Sequence, residues 1–426
     1  MDTRKNWGNR PWVVDFHAER HELPPALDFA VIGGGFSGLA AATWLKKVSP
    51  EKTVALLEAE SFGAGSSGYT GGVALAESAV GDLPGLGDVL AGYQRVLREL
   101  NVEADLILPG AYEIGRSGAL PSTPIRWKDA GELAAVKEVP GGTINPGKTV
   151  SGLARAARRA GALLFETTEV KAARFADMIE LTTSIGVTRA NKALFATNAF
   201  ALELSSLHGR AQAAFTTALM TEPLADATLG EIGLSERKPF YTIDLPYLWG
   251  RLLGNSVIFG SGLLFFKDWR GLRTLNVEQG EARDLFARLE KRIRGFHRAL
   301  REIHFTHRWG GPICLAGGWK PVFEQHPGCS NAIVLGAYSG HGVAQSVLRR
   351  LGGRGLARKK GIAKLEMRPW LGHPPDGATA NTDFSNTASP FQIICTPMQT
   401  SKNDDNRMMM LIPVSPSTRA SRSANA

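Results

Sequence analysis

Apolar runs and helical patterns alternate along the first part of the chain. The apolar run at residues 29–32 leads directly into the glycines Gly33 to Gly35. Small and apolar residues then follow helical spacing from residue 37 to 48, and Pro50 cannot continue a helix. The next apolar segment, residues 52–60, is typical of a buried strand. These patterns predict a strand–helix–strand unit, which is the building block of an α/β domain.

Later patterns predict the other helices and strands. Helical periodicity marks residues 85–100, 149–160 and 281–303. Strand patterns mark residues 163–175, 189–200, 216–262 and 331–337. Within the strand-rich segment, Gly254 and Asn255 separate two apolar runs, as the turn of a β-hairpin does. A glycine turn after the last strand predicts one more helix, which begins at Gly342 and ends near Gly352.

Composition narrows the class of protein. Of the 426 residues, 43% are hydrophobic and 21% are charged, as in globular proteins of about two or three domains. No apolar run approaches the roughly 18 residues that cross a bilayer, so we expect no integral membrane segment. The start of the chain lacks the apolar stretch of a secretory signal. Three cysteines imply no disulfide framework, and a cytoplasmic location is expected.

The formal charge of +9 is unevenly distributed. Residues 353–426 hold ten Lys/Arg and five Asp/Glu, so about half of the net charge lies there. The rest of the chain has no basic groove, and we expect no nucleic-acid partner. The nine histidines show no metal-ligand spacing, and no metal is expected. Residues 353–426 are also rich in Ser, Thr and Asn without periodicity, which predicts a largely disordered tail.

The first glycine cluster has the spacing of a dinucleotide-binding turn. In Gly33-x-Gly35-x-x-Gly38, the first glycine allows the sharp turn and the second lets the backbone approach a pyrophosphate. The third glycine lets the helix pack closely on the strand. Glu58 lies twenty positions after Gly38, where this fold places an acid on a ribose hydroxyl, so NADP fits poorly. The alternative interpretation of the glycine cluster is a tight turn without a ligand, and the alternative for Glu58 is a solvated glutamate at a strand end.

A second glycine cluster, residues 63–72, follows soon after Glu58. NAD dehydrogenases do not need such a loop, whereas FAD extends across the sheet and needs small residues with free amides and hydroxyls beside it. With this loop, the chain resembles the D-amino-acid-oxidase superfamily of FAD-dependent amine oxidoreductases, in particular sarcosine oxidase, glycine oxidase and γ-glutamylputrescine oxidoreductase. Four segments carry the resemblance: AVIGGGFSGLAAA with LLEAE, GAGSSGYTGG, ETTEVKAARF with KALFATNAF, and RWGGPICLAGGW with NAIVLGAYSGHGVAQS.

The resemblance implies an α/β fold in which two kinds of domain are interleaved. A Rossmann-type FAD-binding domain, with a parallel sheet and helices, is expected beside a smaller antiparallel β-rich substrate domain. The FAD-binding domain would comprise residues 28–84, 145–215 and 305–352. The substrate domain would comprise residues 85–144 and 216–304. Residues 1–27 would form an N-terminal arm.

The resemblance also assigns residues to FAD. They are Gly33, Gly34, Gly35, Phe36, Ser37, Gly38, Glu58, Ala59, Gly65, Ser66, Ser67, Gly71, Gly72, Val170, Thr197, Asn198, Gly340, His341 and Gly342. In this family Glu58 would bind the adenosine ribose and Val170 would contact the adenine. The amides at Gly340 to Gly342 open a helix, whose N-terminus stabilises the negative charge of reduced flavin. A structural turn residue is the alternative interpretation of His341.

Two departures from the family pattern are visible. Members often have Arg-Asn where this chain has Tyr69 and Thr70, so the polar contacts of that loop must differ. The family domain also continues as ordered chain after the last helix, where this chain becomes basic and glycine-rich. Two explanations of this difference stay open: the chain carries an unrelated tail, or its C-terminal end is aberrant.

FAD is expected to bind non-covalently. Cys314 lies near the position at which monomeric sarcosine oxidases carry their flavin-linked cysteine, so covalent attachment is the alternative. A buried cysteine is more often inert. Lys267 could activate oxygen electrostatically, as a lysine does in that branch, but its position does not match the family's.

The substrate side is predicted from one strand. Tyr247, Trp249 and Arg251 alternate and therefore share a sheet face, and an arginine among aromatics suits an amine that carries a carboxylate. The alternative is an aromatic packing face with a surface arginine. Tyr247, Arg251 and His341 are the catalytic candidates.

The resemblance implies an activity. A primary or secondary amine or an amino acid would pass a hydride to flavin N5, water would hydrolyse the imine, and O2 would reoxidise the flavin. A dehydrogenase that uses a quinone or carrier is one alternative. A flavin-binding protein without turnover is another.

Overall fold

Two large β-sheets form the described part of the molecule. The computed structural model describes residues 5–83, 86–244 and 247–348. The predicted disordered tail, residues 353–426, lies outside the described residues. Among the helices of the described residues, none has the length and apolar character needed to pass through a bilayer.

The helices and strands are numbered along the chain. The helices are α1 (Phe36–Val48), α2 (Ser66–Tyr69), α3 (Val89–Glu99), α4 (Pro146–Arg159), α5 (Asp226–Glu231), α6 (Gly280–Phe296) and α7 (Gly342–Leu348), with 3-10 turns at Trp269–Arg273, Arg298–Leu300 and Gly317–Trp319. The strands up to the middle of the chain are β1 (Ala26–Ile32), β2 (Val54–Leu57), β3 (Val73–Leu75), β4 (Ala111–Gly115), β5 (Arg126–Lys128), β6 (Glu132–Val139), β7 (Gly141–Thr143), β8 (Leu163–Phe165) and β9 (Val170–Arg174). The later strands are β10 (Ile179–Thr183), β11 (Val187–Phe195), β12 (Ala211–Thr221), β13 (Phe240–Thr242), β14 (Leu248–Leu253), β15 (Ser256–Phe265), β16 (Phe305–Ala316), β17 (Val322–His326) and β18 (Cys329–Gly336).

Parallel strands form the centre of the first sheet. Its order is β17-β18-β11-β1-β2-β8, and β10 and β9 extend it beyond β11. The strands from β18 to β8 are parallel, while β17 and β10 run antiparallel to their neighbours. Along β1, Phe29 and Val31 join one core cluster, and Ala30 and Ile32 join another. Both faces are therefore buried, as is usual for parallel strands.

Helices cover one face of the parallel sheet. α1, α3, α4 and α7 share a core cluster with β1 and β2. The small residues of α1 are almost all buried, which lets this helix lie close to the sheet. α4 begins at Pro146, earlier than its periodicity indicates, because Asn145 caps it by accepting Lys148 N at 3.1 Å. α3 falls in the segment assigned to the substrate domain, yet it packs in this cluster, and the domain boundaries stay a prediction.

The second sheet is antiparallel except at one strand pair. Its order is β16-β12-β15-β14-β13-β4-β6-β5, and only β13 and β4 run parallel. The predicted hairpin is confirmed, since Gly254 and Asn255 join β14 to β15 and Gly254 has φ +57°. The predicted fold class, an α/β fold with a Rossmann-type parallel sheet and an antiparallel sheet, is confirmed. Both sheets have eight strands.

One helix is shorter than its pattern predicts. Residues 281–303 have continuous helical spacing, but α6 ends at Phe296 because His297 adopts extended backbone angles, φ −151° and ψ 150°. A 3-10 turn, Arg298–Leu300, follows, and Leu300 and Ile303 are still buried. The apolar spacing therefore predicted the burial of Leu300 and Ile303 correctly and the extent of the helix wrongly.

We expect Trp127→Ala to destabilise the antiparallel sheet strongly. Trp127 is 1% exposed, stacks on Phe296 at 5.2 Å, and its Nε1 donates to the carbonyl of Ile232 at 3.0 Å. Truncation leaves a large cavity and an unpaired carbonyl, so stability should fall by about 3–5 kcal/mol.

Thermal unfolding of purified protein measures this loss. Trp319→Ala is the matched control, because Trp319 is 37% exposed and should cost little. Equal melting temperatures for the two variants would contradict the assigned core.

Candidate functional site

The first glycine turn is tightly packed at each motif glycine. Gly33 has φ +108°, and a Cβ there would lie 2.5 Å from the carbonyl oxygen of Ala196. A Cβ on Gly38 would lie 1.9 Å from the Gly33 oxygen, so helix α1 could not sit against the turn. A Cβ on Gly35 would lie 2.7 Å from Ser67 Oγ. Backbone crowding therefore requires glycine at Gly33 and Gly38, as the dinucleotide motif does, while a side chain at Gly35 would meet the Ser67 hydroxyl.

The N-terminus of α1 is open to an acceptor. Its cap residue, Gly35, offers no side-chain acceptor, and its first turn has no acidic residue. Phe36 N donates to Ser67 Oγ at 2.9 Å, so a hydroxyl of the second glycine cluster lies at this helix end. Backbone amides and the helix dipole together favour an anion at such a position.

Glu58 is fixed in orientation at the end of β2. Its Oε2 accepts Gly34 N at 2.7 Å, and its Oε1 accepts Glu60 N at 2.9 Å. Burial raises the pKa of the carboxyl group, while these two hydrogen bonds act in the opposite direction. A solvated glutamate would have neither bond. The carboxylate keeps lone pairs with which it could accept the hydroxyls of a ribose.

The segment after β8 runs beside Glu58. Thr168 N donates to the Glu58 carbonyl at 2.7 Å, and Thr167 N donates to the Glu60 carbonyl at 2.7 Å. Val170, the predicted adenine contact, begins β9 just beyond and is buried. Ala59 is exposed beside this segment. The structure thus brings Val170 and Ala59 to the same strand end as Glu58.

Three segments meet at Asn198, which follows β11 with φ +50°. Its Nδ2 donates to Ser66 Oγ at 2.8 Å, and its Oδ1 accepts Ala337 N at 3.0 Å. Ser66 Oγ in turn donates to the carbonyl of Pro312 at 2.8 Å. Beside it, Thr197 Oγ1 is buried without a hydrogen-bond partner. A bound polar ligand or an ordered water would satisfy such a hydroxyl.

The last glycine turn packs against the start of α1. Tyr338 Oη lies 2.7 Å from Ser37 Oγ, and Gly340 has φ +89°. Burial lowers the pKa of His341, against the opposing effects of its contact with Ser339 and of the Glu77 carboxylate. In α7 the buried Gln345 has no partner for either polar atom of its side chain. The Tyr338 hydroxyl therefore connects this turn to the start of α1.

The antiparallel sheet presents a row of side chains to the second glycine cluster. Cross-strand pairing aligns Glu113, Tyr241, Trp249, Gly260, Ala218 and Trp309 in this order. The Trp249 ring lies between two glycines, since a Cβ on Gly71 or on Gly260 would lie 2.0 or 2.1 Å from it. Trp309 Nε1 donates to the Tyr69 carbonyl at 3.2 Å. This row is the face that the antiparallel sheet turns toward the predicted flavin loop.

Tyr241 joins two carboxylates at one end of that row. Its Oη lies within hydrogen-bond distance of Glu77 Oε1 and 3.0 Å from Glu113 Oε1. Burial and both carboxylates raise the pKa of Tyr241, so the phenol stays protonated. The sequence analysis did not find these residues. No local pattern connects them, and only the register of strands far apart in sequence brings them together.

Arg251 differs from its predicted role. It does share a face with Trp249, but it is only 3% exposed, and its Nη1 donates to the carbonyls of Gly72 and Ile144. Burial lowers the pKa of Arg251 to about 10. The guanidinium braces the glycine loop through these carbonyls, which favours a structural role over a grip on a substrate carboxylate.

The other predicted residues take separate positions. Burial raises the pKa of Tyr247, and its carbonyl accepts Arg292 Nη1 at 2.8 Å. Cys314 lies in β16 at 1% exposure, where burial raises the pKa of its thiol to about 12. Lys267 is exposed beyond β15. Gly65 caps α2, and Gly342 begins α7.

Comparison with known proteins identifies what this arrangement is similar to. The family model described as DAO, FAD dependent oxidoreductase, matches residues 28–349. A curated relative, the probable oxidoreductase OrdL of Rhizobium meliloti (strain 1021), is 25% identical over 363 residues, covering 74% of this chain and 79% of that protein.

Solved structures share the fold at low sequence identity. Glycine oxidase from Geobacillus kaustophilus superposes with a TM-score of 0.60 at 19% identity, over 80% of this chain and 99% of that one. L-proline dehydrogenase from P. horikoshii gives a TM-score of 0.61 at 17% identity, over 76% and 91% of the two chains. L-amino acid deaminase from Proteus myxofaciens gives 0.59 at 12% identity, over 81% and 93%.

We expect Gly38→Ala to disrupt the first glycine turn. The added methyl group would lie 1.9 Å from the Gly33 oxygen, so α1 must move away from the strand. Melting temperature and flavin retained through gel filtration should both fall.

Gly295→Ala is the matched control. Gly295 is also in a helix, α6, but a Cβ there meets nothing within 4 Å. Its replacement should be neutral or stabilising by about 0.5–1 kcal/mol. Unchanged flavin content in Gly38→Ala would contradict the assigned turn.

Proposed function

Because the chain belongs to the DAO family of FAD-dependent oxidoreductases, we propose that it oxidises a primary or secondary amine or an amino acid. FAD would bind without a covalent link, and O2 would accept the electrons. One observation carries the choice of an amine: Tyr241 with Glu77 and Glu113 puts two carboxylates at one end of the row beside the second glycine cluster, and Lys137 Nζ, 3.8 Å from Glu113 Oε1, offsets only one of them. An amine reaches the enzyme as an ammonium cation, which such a group attracts.

The residues present fit FAD. The close glycine turn, the uncapped start of α1 and the oriented Glu58 provide for a pyrophosphate and a ribose. The orphaned Thr197 Oγ1 lies at the same strand ends. When bound, FAD supplies a two-electron acceptor for the hydride from the carbon beside the amine nitrogen.

The chain's own residues would bind and orient the amine. Glu77 and Glu113 would attract the ammonium group, and one of these carboxylates would take a proton from it so that the neutral amine can lose a hydride. The Tyr241 hydroxyl would fix the position of the amine. Trp249, held between Gly71 and Gly260, would exclude water from the apolar part of the substrate. The imine that leaves would be hydrolysed by water to a carbonyl compound and ammonia or an amine.

An anaerobic mixing experiment tests this function. Purified protein is mixed with a panel of amines and amino acids, and the loss of flavin colour is followed before air is admitted. We expect bleaching by at least one amine, then return of colour with release of peroxide. Bleaching without peroxide would mean that a carrier, and not O2, accepts the electrons from the flavin. No bleaching by any amine would refute the proposal.

Non-covalent binding predicts that acid precipitation moves the yellow colour into the supernatant. The Cys314 thiol is buried with a pKa raised to about 12, so it stays protonated and unreactive. Cys314→Ser should behave as the wild type. A coloured pellet that Cys314→Ser abolishes would contradict this prediction.

We expect Glu77→Gln to raise KM for the amine by about tenfold or more, since it removes a charge from the acidic end of the row. The turnover number should change far less, because the carboxylate acts mainly in binding. Steady-state kinetics measure both constants.

Glu51→Gln is the control for that substitution. Glu51 is exposed in the turn before β2, and the same loss of charge there should leave KM unchanged. A KM for Glu77→Gln equal to that of the wild type would contradict a role of Glu77 in substrate binding.

A further inference from the structure

The segment before β1 spans both sheets. Residues 5–16, the N-terminal strap, carry aromatic side chains into different core clusters: Trp7 into that of the antiparallel sheet and Phe16 into that of the parallel sheet. Trp7 Nε1 donates to the Leu272 carbonyl at 3.0 Å, and the Phe16 ring lies 5.8 Å from Phe62. Both ends of the strap are therefore anchored.

Between these anchors, two donors converge on one carbonyl of the second glycine cluster. Arg10 Nη1 donates to Gly68 O at 2.6 Å and lies 3.4 Å from Gly63 O. Trp12 Nε1 donates to the same Gly68 oxygen at 2.8 Å. Gly68 lies near the C-terminal end of α2, where helix carbonyls lack partners and a cation is favourable.

The strap leaves no room for a side chain at Gly68. A Cβ on Gly68 would lie 2.3 Å from Arg10 Nη1 and 2.1 Å from the Gly63 oxygen. The Arg10 guanidinium also lies over the Tyr69 ring at 4.3 Å. The strap and the loop thus fit each other at this point.

Hydrogen bonds and aromatic contacts hold the loop to the strap, and the Trp7 ring lies 5.1 Å from the Tyr69 ring. An open pocket of about 330 Å³ lies beside these contacts, lined by Arg10, Trp12 and Phe16 on one side and by Phe62 and Tyr69 on the other. α2 has only four residues and no side-chain cap, so it cannot fix itself. Its position therefore depends on contacts with neighbouring segments, and the strap supplies the two hydrogen bonds to Gly68 O.

That position decides where two serines lie. Ser67 Oγ accepts Phe36 N at the start of α1, and Ser66 Oγ bonds to Asn198 and Pro312. We propose that Arg10 and Trp12 are positioning residues for FAD: by holding Gly68 O they keep Ser66 and Ser67 at the dinucleotide turn. This inference rests on the FAD-binding part of the proposed function and not on amine oxidation.

The test measures the dissociation constant for FAD of apoprotein by flavin fluorescence, together with the apoprotein's melting temperature. Arg10→Ala should weaken binding at least about tenfold, as loss of a charge-assisted hydrogen bond does. Arg10→Lys keeps the charge without the guanidinium fork and should give an intermediate constant. Trp12→Phe removes the donor and reduces the ring that packs on Trp309, and it should weaken binding by about threefold or more.

Arg20→Ala is the matched control, because Arg20 is exposed further along the same segment and should bind FAD like the wild type. If Arg10→Ala does not fold, Arg10→Lys and Trp12→Phe decide the question. Wild-type affinity in the folded strap variants, with only a lower melting temperature, would overturn the inference. A wild type that binds no FAD would instead refute the proposed cofactor.

Discussion

The structure depends on how closely the second glycine cluster, residues 63–72, approaches both sheets. Toward the parallel sheet, Ser67 Oγ lies where a Cβ on Gly35 would be only 2.7 Å away. Toward the antiparallel sheet, the Trp249 ring lies where a Cβ on Gly71 would be 2.0 Å away. A side chain at Gly71 would collide with the Trp249 ring, and one at Gly35 would displace the Ser67 hydroxyl. The absence of side chains at these two glycines thus lets the loop lie between the first glycine turn and the Trp249 face of the antiparallel sheet.

Among the described residues, two buried polar atoms without hydrogen-bond partners lie beside this loop. They are Thr197 Oγ1 and Arg251 Nε. Each lowers stability, because a buried donor or acceptor has lost its water. Thr197 and Arg251 flank the loop through Asn198, Ser66 and Gly72. Ordered water or a bound polar ligand would satisfy these groups.

Local patterns predicted the parts of the fold that depend on neighbours in sequence. The glycine spacing at Gly33 to Gly38, the β14–β15 turn at Gly254 and the position of Glu58 all follow from short-range constraints on the backbone. The end of α6 did not, because His297 leaves the helix although the apolar spacing continues. At that boundary His297 caps the following 3-10 turn, with its Nδ1 accepting Ala299 N at 3.2 Å.

The substrate face could not be predicted from such patterns. Glu113, Tyr241 and Trp249 lie on three different strands, β4, β13 and β14. Only the pairing register of these strands aligns the three residues. Alternation along β14 correctly put Trp249 and Arg251 on one face, but it could not show that Arg251 would bond to the Gly72 and Ile144 carbonyls. The carbonyls that Arg251 binds lie more than a hundred residues away in sequence, so only the tertiary structure shows them.

The nucleotide held by the purified protein tests the central claim most directly. Protein is denatured after extensive gel filtration, and the released compound is identified and quantified by chromatography and mass spectrometry. We expect FAD in a stoichiometric amount. Release of NAD or NADP instead, or failure of the apoprotein to bind added FAD, would contradict the cradle formed by the two glycine clusters.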